Sequence, residues 1–288
     1  MRIAVTGAAG FVGGAVVARL RAEGHRVLPL GRREWDITTP HSPRSADAVV
    51  HCAALADDWS SREHAMRVNL HGTANVMAGF PGARFVHISS SSVYDSFTPT
   101  VHGVESSPLP TRWLSAYSES KAAAELLLPG EAVILRPHAV YGPGDTTLLP
   151  RILAGVRGST LTLPAGAWVA HTLTHIDNLV EAVVLAVEGT ACGVFNVGDD
   201  GDVILREVIA ELLERQGAHV AVRSIPYKLA FAAGAALESF HRVAGGRPRV
   251  TRYAVSQLGL ERTLDISRAR RELRYRPTST SLSGAESW

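Results

Sequence analysis

Five short runs of apolar and β-branched residues punctuate the first half of the chain, at 2–6, 26–30, 48–53, 84–89 and 132–135. Each has strand length and little charge, and none shows a helical repeat. Between most of them, apolar positions recur every three or four residues over 11–23, 61–78 and 115–128, the stripe of an amphipathic helix. Strands alternating with helices predict a doubly wound parallel sheet, because each parallel connection must cross over a face of the sheet. The interval 31–47 breaks the rhythm, since Pro40 and Pro43 leave room for a clipped crossover helix at most. After Gly142-Pro143-Gly144 the pattern turns helical, over 148–155, 177–188, 205–216, 227–243 and 267–273, with brief strands near Leu161 and Val220. The expected architecture is α/β, with a smaller C-terminal α/β part following the sheet.

Composition narrows the class. The chain has 288 residues, 46% hydrophobic and 19% charged, and no low-complexity tract, which excludes a disordered chain. The longest apolar runs, such as Leu229 to Leu237, fall short of the ~18 residues that span a bilayer, so no membrane partner is expected. A strand beginning at Arg2 leaves no room for a signal peptide, and Cys52 and Cys192 cannot build a disulfide framework, so the reading is cytoplasmic. A net charge of +2 is too small to imply a nucleic-acid partner. Of the 29 basic residues only Lys121 and Lys228 are lysines, which makes a retained lysine informative.

The first strand runs into Gly7-Ala8-Ala9-Gly10-Phe11-Val12-Gly13 at the start of a helix. Glycines there permit a sharp turn and let a pyrophosphate approach the N–H groups of a helix N-terminus, where the macrodipole favours negative charge. The fold expectation becomes a Rossmann-type dinucleotide-binding domain over 1–145, with 171–197 returning to it, and a substrate-binding domain over 146–170 and 198–288. Gly7, Ala9, Gly10, Phe11, Val12 and Gly13 are the candidate phosphate contacts. At the second strand tip, Leu30-Gly31-Arg32-Arg33 offers two guanidiniums and no acid, which suits the 2′-phosphate of NADP better than the free ribose of NAD, the alternative. Asp36 and Ile37 follow as candidates for the adenine edge and ring.

Tyr117 and Lys121 lie four residues apart at the start of a helix, one turn apart on one face. A phenol has a pKa near ~10, and a neighbouring cation favours the phenolate, bringing proton exchange towards neutral pH. With six tyrosines and two lysines in 288 residues, this spacing arises by chance about 0.04 times. Upstream, 85–88 runs out into Ser89-Ser90-Ser91-Ser92, a hydroxyl cluster at the carboxyl end of a central strand, where open α/β sheets bind ligands.

Taken together, the chain resembles the extended short-chain dehydrogenase/reductases, a superfamily of sugar-nucleotide epimerases and dehydratases and of 3β-hydroxysteroid dehydrogenase-type enzymes. The resemblance covers nearly the whole chain and includes His51-Cys52-Ala53-Ala54, Val68-Asn69 with Gly72-Thr73, Leu135-Arg136-Pro137 with Tyr141-Gly142-Pro143-Gly144-Asp145, and Asn196-Val197-Gly198. It implies that Ser90, Tyr117 and Lys121 are catalytic. It also implies that Cys52, Ala53, Ala54, Leu55, Asn69, Ser89, Pro137 and His138, with Tyr117 and Lys121, line the cofactor. Two departures narrow the choice. Ser91 and Ser92 stand where dehydratases carry an Asp-Glu pair, and Ala139 stands where sugar-nucleotide enzymes commonly carry Asn. The stretches Ile225 to Tyr227, Thr251 to Tyr253 and Asp265 to Ser267 resemble the 3β-hydroxysteroid dehydrogenase-like branch, which acts on apolar or acyl carbonyl compounds. The leading expectation is an NADPH-dependent ketoreductase or alcohol dehydrogenase with a small carbonyl or alcohol substrate. The alternatives are a sugar-nucleotide epimerase and a non-catalytic dinucleotide-sensing regulator. The resemblance further implies pairing of two copies through the 61–78 and Tyr117 helices, a homodimer.

His171 and His175 have the spacing of a metal pair but lack a third ligand nearby, so no metal is expected. The ten arginines between Arg242 and Arg276 are interrupted by Glu261, Asp265 and Glu272 and read as solvated.

Overall fold

Six parallel strands form the central sheet, in the spatial order Gly193–Val197, Val133–Pro137, Arg84–Ile88, Ala48–His51, Arg2–Thr6 and Arg26–Leu30. The structure, a computed structural model, describes residues 1–146 and 148–288, apart from the side chain of Leu149. Strand order reverses on either side of Arg2–Thr6, and the crevice outside the carboxyl ends at such a reversal is where open α/β sheets bind ligands.

Both faces are covered, so the strands are apolar throughout. Alternate residues Ile3, Val5, Val50, Val86, Leu135 and Phe195 pack with the helices Phe11–Ala22 and Ile176–Glu188 through Val16, Leu20, Leu179 and Val183. The intervening set, Ala4, Val49 and Phe85, faces Val76 of the helix Gly72–Gly79 and Phe80, the residue that follows it. No helix forms over 31–47. Trp35 and Ile37 instead tuck into this second layer, and Gly72 and Gly79 make the space. A Cβ on Gly79 would lie 2.7 Å from the Trp35 ring, and one on Gly72 2.7 Å from Ile37 Cδ1.

The element expected over 61–78 is not one regular helix: Met66–His71 is a π-helical turn that carries the buried Asn69. The Tyr117 helix spans Ala116–Leu127 and is capped by Ser115, whose hydroxyl accepts from Ser118 N–H at 3.1 Å. The second half has its own core around Tyr141, Ile152, Leu161, Leu163, Leu205, Ile209 and Leu212. Two further features are not read from the sequence, the helix Arg252–Gly259 and a four-stranded sheet that joins Thr100–Gly103 of the first half to Val203–Ile204, Ala170–His171 and Arg262–Leu264. Strands of two to four residues are too short for their alternation to register as a pattern. Among the described residues no helix is long and apolar enough to cross a membrane.

Candidate active site

The glycine turn is built as a cradle that side chains would fill. Gly7 has φ +68°, and a Cβ on it would come within 2.7 Å of Ala53 N. A Cβ on Gly13 would sit 2.2 Å from Gly7 O, closer than any real contact. Gly10 begins the helix with no side-chain cap and no acid in the first turn, leaving the first N–H groups and the positive end of the dipole for an anion. The residues present therefore fit a dinucleotide pyrophosphate, with Gly7 to Gly13 as its binding turn.

The strand tip beside this turn differs from its reading in sequence. Arg32 is exposed, with a loose 3.7 Å pairing to Asp36, and Arg33 is exposed as well. Glu34, however, folds back so that its carboxylate accepts from Gly31 N–H at 2.9 Å. An acid is thus present at the tip, three residues after Gly31. Asp36 accepts from the N–H and hydroxyl of Thr38 and so closes its own turn, while the Ile37 side chain packs against Gly72.

On the loop after Ala48–His51, Leu55 N–H donates to Asn69 Oδ1 at 2.7 Å, and Asn69 Nδ2 donates to Leu55 O and to Ser120 Oγ. The Asn69 amide is fully occupied and 2% exposed, so it holds the Cys52-Ala53-Ala54-Leu55 loop against the Tyr117 helix and does not reach outward itself. Burial pushes the Cys52 thiol up to about 12, leaving it unreactive. Ser89 also points inward, to Glu125. Glu125 pairs with Arg136 at 2.6 Å, Arg136 donates to Tyr94 OH at 3.1 Å, and Tyr94 OH donates to Asn196 Oδ1 at 2.7 Å. This buried network ties together the Ser-Ser, Arg-Pro and Asn-Val-Gly segments, and the sequence reading missed it. The available signal was a charge at Glu125 and another at Arg136 in otherwise apolar stretches.

Ser90, Tyr117 and Lys121 converge at the carboxyl end of Arg84–Ile88. Ser90 caps the short turn Ser91–Val93, its hydroxyl accepting from Ser92 N–H at 3.1 Å. Burial raises the Tyr117 phenol above its ordinary range, opposed by the neighbouring Ser90 and Ser92 hydroxyls and by the Arg151 charge. Lys121 lies one turn further along the same helix. Its ammonium, 2% exposed, donates to Ile88 O at 2.6 Å and lies 3.4 Å from His87 Nε2. Burial pulls its pKa down to about 8, opposed by the Glu125 carboxylate. Beneath it, His51 bridges Thr6 and Thr73 at 2.7 and 3.0 Å, and burial, with the Lys121 charge, pulls its imidazole down to about 3, so it is neutral.

Pro137 ends its strand, and His138 N–H donates to Thr174 Oγ1 at 3.1 Å. The His138 ring links Ser91 Oγ, 2.8 Å from Nδ1, to His171 Nδ1, 3.0 Å from Nε2. His171 is thus engaged with an imidazole, and among the described residues no group of three or more His, Cys, Asp or Glu is placed to hold a metal. Some of the distal arginines are ion-paired, Arg252 with Glu238 and Arg268 with Glu272 among them, but Arg262 departs from the solvated reading: it is 5% exposed. A cavity of about 500 Å³, lined by Trp59, Trp113, Ser115, Glu119, Arg242 and Arg252 among others, opens beside the start of the Tyr117 helix.

Comparison with known proteins bears on this geometry. A family model described as NAD dependent epimerase/dehydratase family matches residues 3–198. The chain is 32% identical to 4-hydroxy-2-methyl-3-oxo-4-farnesyl-3,4-dihydroquinoline-1-oxide ketoreductase of Stigmatella aurantiaca, across 99% of this chain and 95% of that one. It is 31% identical to 2-alkyl-3-oxoalkanoate reductase of Stenotrophomonas maltophilia, across 96% and 95%. Among solved structures, dTDP-4-dehydrorhamnose reductase from Bacillus anthracis, in complex with NADP, superposes with a TM-score of 0.72 at 19% identity, covering 99% of this chain and 97% of that one.

Proposed function

The chain belongs to the NAD dependent epimerase/dehydratase family, and from that premise we propose that it is an NADPH-dependent ketoreductase in which Ser90, Tyr117 and Lys121 carry the chemistry. The observation that supports the reading most is the placement of the three side chains at the carboxyl end of Arg84–Ile88: the Tyr117 phenol lies beside the Ser90 hydroxyl, and the Lys121 ammonium is fixed by Ile88 O. Two relatives named as reductases of oxo compounds point the same way.

In this reading Ser90 donates to the carbonyl oxygen and Tyr117 transfers its phenolic proton to that oxygen as charge develops on it. Lys121 holds the positive charge beneath, fixed by Ile88 O. The bound nicotinamide supplies the hydride. Residues 1–145 with 171–197 hold the dinucleotide, and 146–170 with 198–288 close over the substrate, which enters by the cavity beside Ser115. NADPH is the assigned cofactor because Arg32 and Arg33 stand exposed at the strand tip.

The test is loss of reduced-nicotinamide absorbance with NADPH and a panel of 3-oxo acids, 3-oxo esters, cyclic ketones and steroid ketones. Turnover of at least one class is expected, and Tyr117→Phe should abolish it while NADPH binding stays near the parent's. A Phe variant as active as the parent would overturn the assignment.

A further inference from the structure

We infer that Ser91 is a further substrate-positioning residue, its hydroxyl turned outward by a chain through His138 and His171 to Arg262, and that it selects substrates with a second acceptor oxygen beside the ketone. The inference rests on the carbonyl-reduction reading of this site. Ser91 follows Ser90 on the same turn and is partly exposed, whereas Ser92 is buried.

The direction of the chain follows from two partnerless atoms. Ser91 Oγ, the His138 ring and His171 Nδ1 are connected at 2.8 and 3.0 Å. At the far end, His171 Nε2 is buried without a hydrogen-bond partner, and so is Arg262 Nε. His171 and Arg262 are register partners on neighbouring parallel strands. The other Arg262 nitrogens are committed, Nη1 to Asp95 O and Thr98 O and Nη2 to Ser96 O and Ser256 Oγ. A proton on His171 Nε2 would leave two buried donors beside one another next to a cation, and unpaired buried N–H groups are rarer than unpaired acceptors. The favoured tautomer therefore bears its proton on Nδ1 and presents the Nε2 lone pair to Arg262. His171 then donates to His138 Nε2, which leaves the His138 proton on Nδ1, donating to Ser91 Oγ. With that lone pair occupied, the Ser91 hydroxyl proton is free to point into the site. Both imidazoles are held neutral by burial, so the arrangement is a matter of tautomer and not of charge.

A ketone oxygen has two lone pairs, and Ser90 and Tyr117 use both. A third donor one residue further on serves a second oxygen, such as the carboxylate, ester or amide carbonyl of a 3-oxo compound. The competing arrangement has His171 Nε2–H directed at the Leu260 carbonyl, which favours a proton on the ring even though Nε2, like Arg262 Nε, has no partner within strict hydrogen-bond geometry. In that case Ser91 donates inward and the selectivity is lost.

Two measurements separate this inference from the reading on which it rests. In the first, kcat/KM with NADPH is compared between a 3-oxo ester and a simple ketone of equal length. Ser91→Ala should lose at least about tenfold on the ester, mainly in KM, and no more than about twofold on the ketone. His171→Leu should lose the same selectivity, and the double variant should be no worse than Ser91→Ala alone. Equal losses on both substrates overturn the inference while leaving the reductase reading intact. In the second, nitrogen chemical shifts of the histidine rings in the unmodified protein report tautomers without turnover. Protons on Nδ1 of both His138 and His171 support the chain, and a proton on Nε2 of His171 overturns it, whether or not a ketone is reduced.

Discussion

Replacing Lys121 by Met should make the protein more stable and inactive, and the magnitude follows from the buried ammonium. Burial lowers its pKa from 10.5 to about 8, so the charged form is disfavoured in the folded state by roughly 3 kcal/mol at neutral pH, at about 1.4 kcal/mol per unit. Methionine has similar length and no charge to desolvate, but it leaves Ile88 O without its donor, a cost of about 1–3 kcal/mol. A net gain of up to about 2 kcal/mol, or at most a few degrees in Tm, is expected near pH 7. The sign of the pH dependence is sharper. Between about pH 8 and 10.5 the unfolded chain keeps a proton on this lysine that the folded protein has released, so the parent gains stability as pH rises through that window. Below it both states are protonated and the full cost of burial remains. The Met variant lacks this rise. Denaturant unfolding of both proteins at pH 7, 8, 9 and 10 measures the difference, alongside NADPH oxidation, which for the parent should fall above about pH 8 as the ammonium deprotonates. Parallel stability profiles, with the Met variant the less stable throughout, would show that the ammonium is not strained and would refute the reasoning.

Lys121→Arg should be nearly inactive, because a planar guanidinium cannot fit where a 2% exposed ammonium bonds Ile88 O at 2.6 Å; turnover within about threefold of the parent, roughly 0.6 kcal/mol in barrier, would mark the pair as structural. Gly13→Ala should weaken NADPH binding by about tenfold or more and lower stability by about 1–3 kcal/mol, since its Cβ would lie 2.2 Å from Gly7 O; fluorescence titration and unfolding check both. Arg32→Ala with Arg33→Ala should erase a preference for NADPH over NADH, while Glu34→Gln should sharpen it by removing a carboxylate from the strand tip. Equal affinity of the parent for the two cofactors would count against the assignment. No 4-keto-6-deoxy product should form from a nucleotide hexose, because Ser91 and Ser92 supply neither acid nor base for an elimination.

The parallel strands, the glycine turn and the Tyr117 helix were legible because each is specified locally. Apolar runs of strand length mark a doubly covered sheet, a turn that excludes Cβ atoms demands glycine, and Ser115 caps the helix that follows it. What escaped the sequence is specified by distant partners. Asn69 reads as a cofactor-lining amide until Leu55 and Ser120 close around it, and Arg262 looks solvated among ten arginines until Asp95, Ser96, Thr98 and Ser256 surround it. Both are polar groups made affordable to bury by backbone atoms that no periodicity reveals. The strand tip lies between these cases. Its two arginines are local, yet the acid that faces them arrives by a three-residue return onto Gly31 N–H. That bond is available because Gly31 presents no side chain, and a Cβ there would meet the Glu34 carboxylate at 2.8 Å. The same glycine that leaves space for a 2′-phosphate therefore also admits the carboxylate that would repel it, and cofactor choice depends on whether two exposed guanidiniums outweigh one carboxylate held by a single backbone bond.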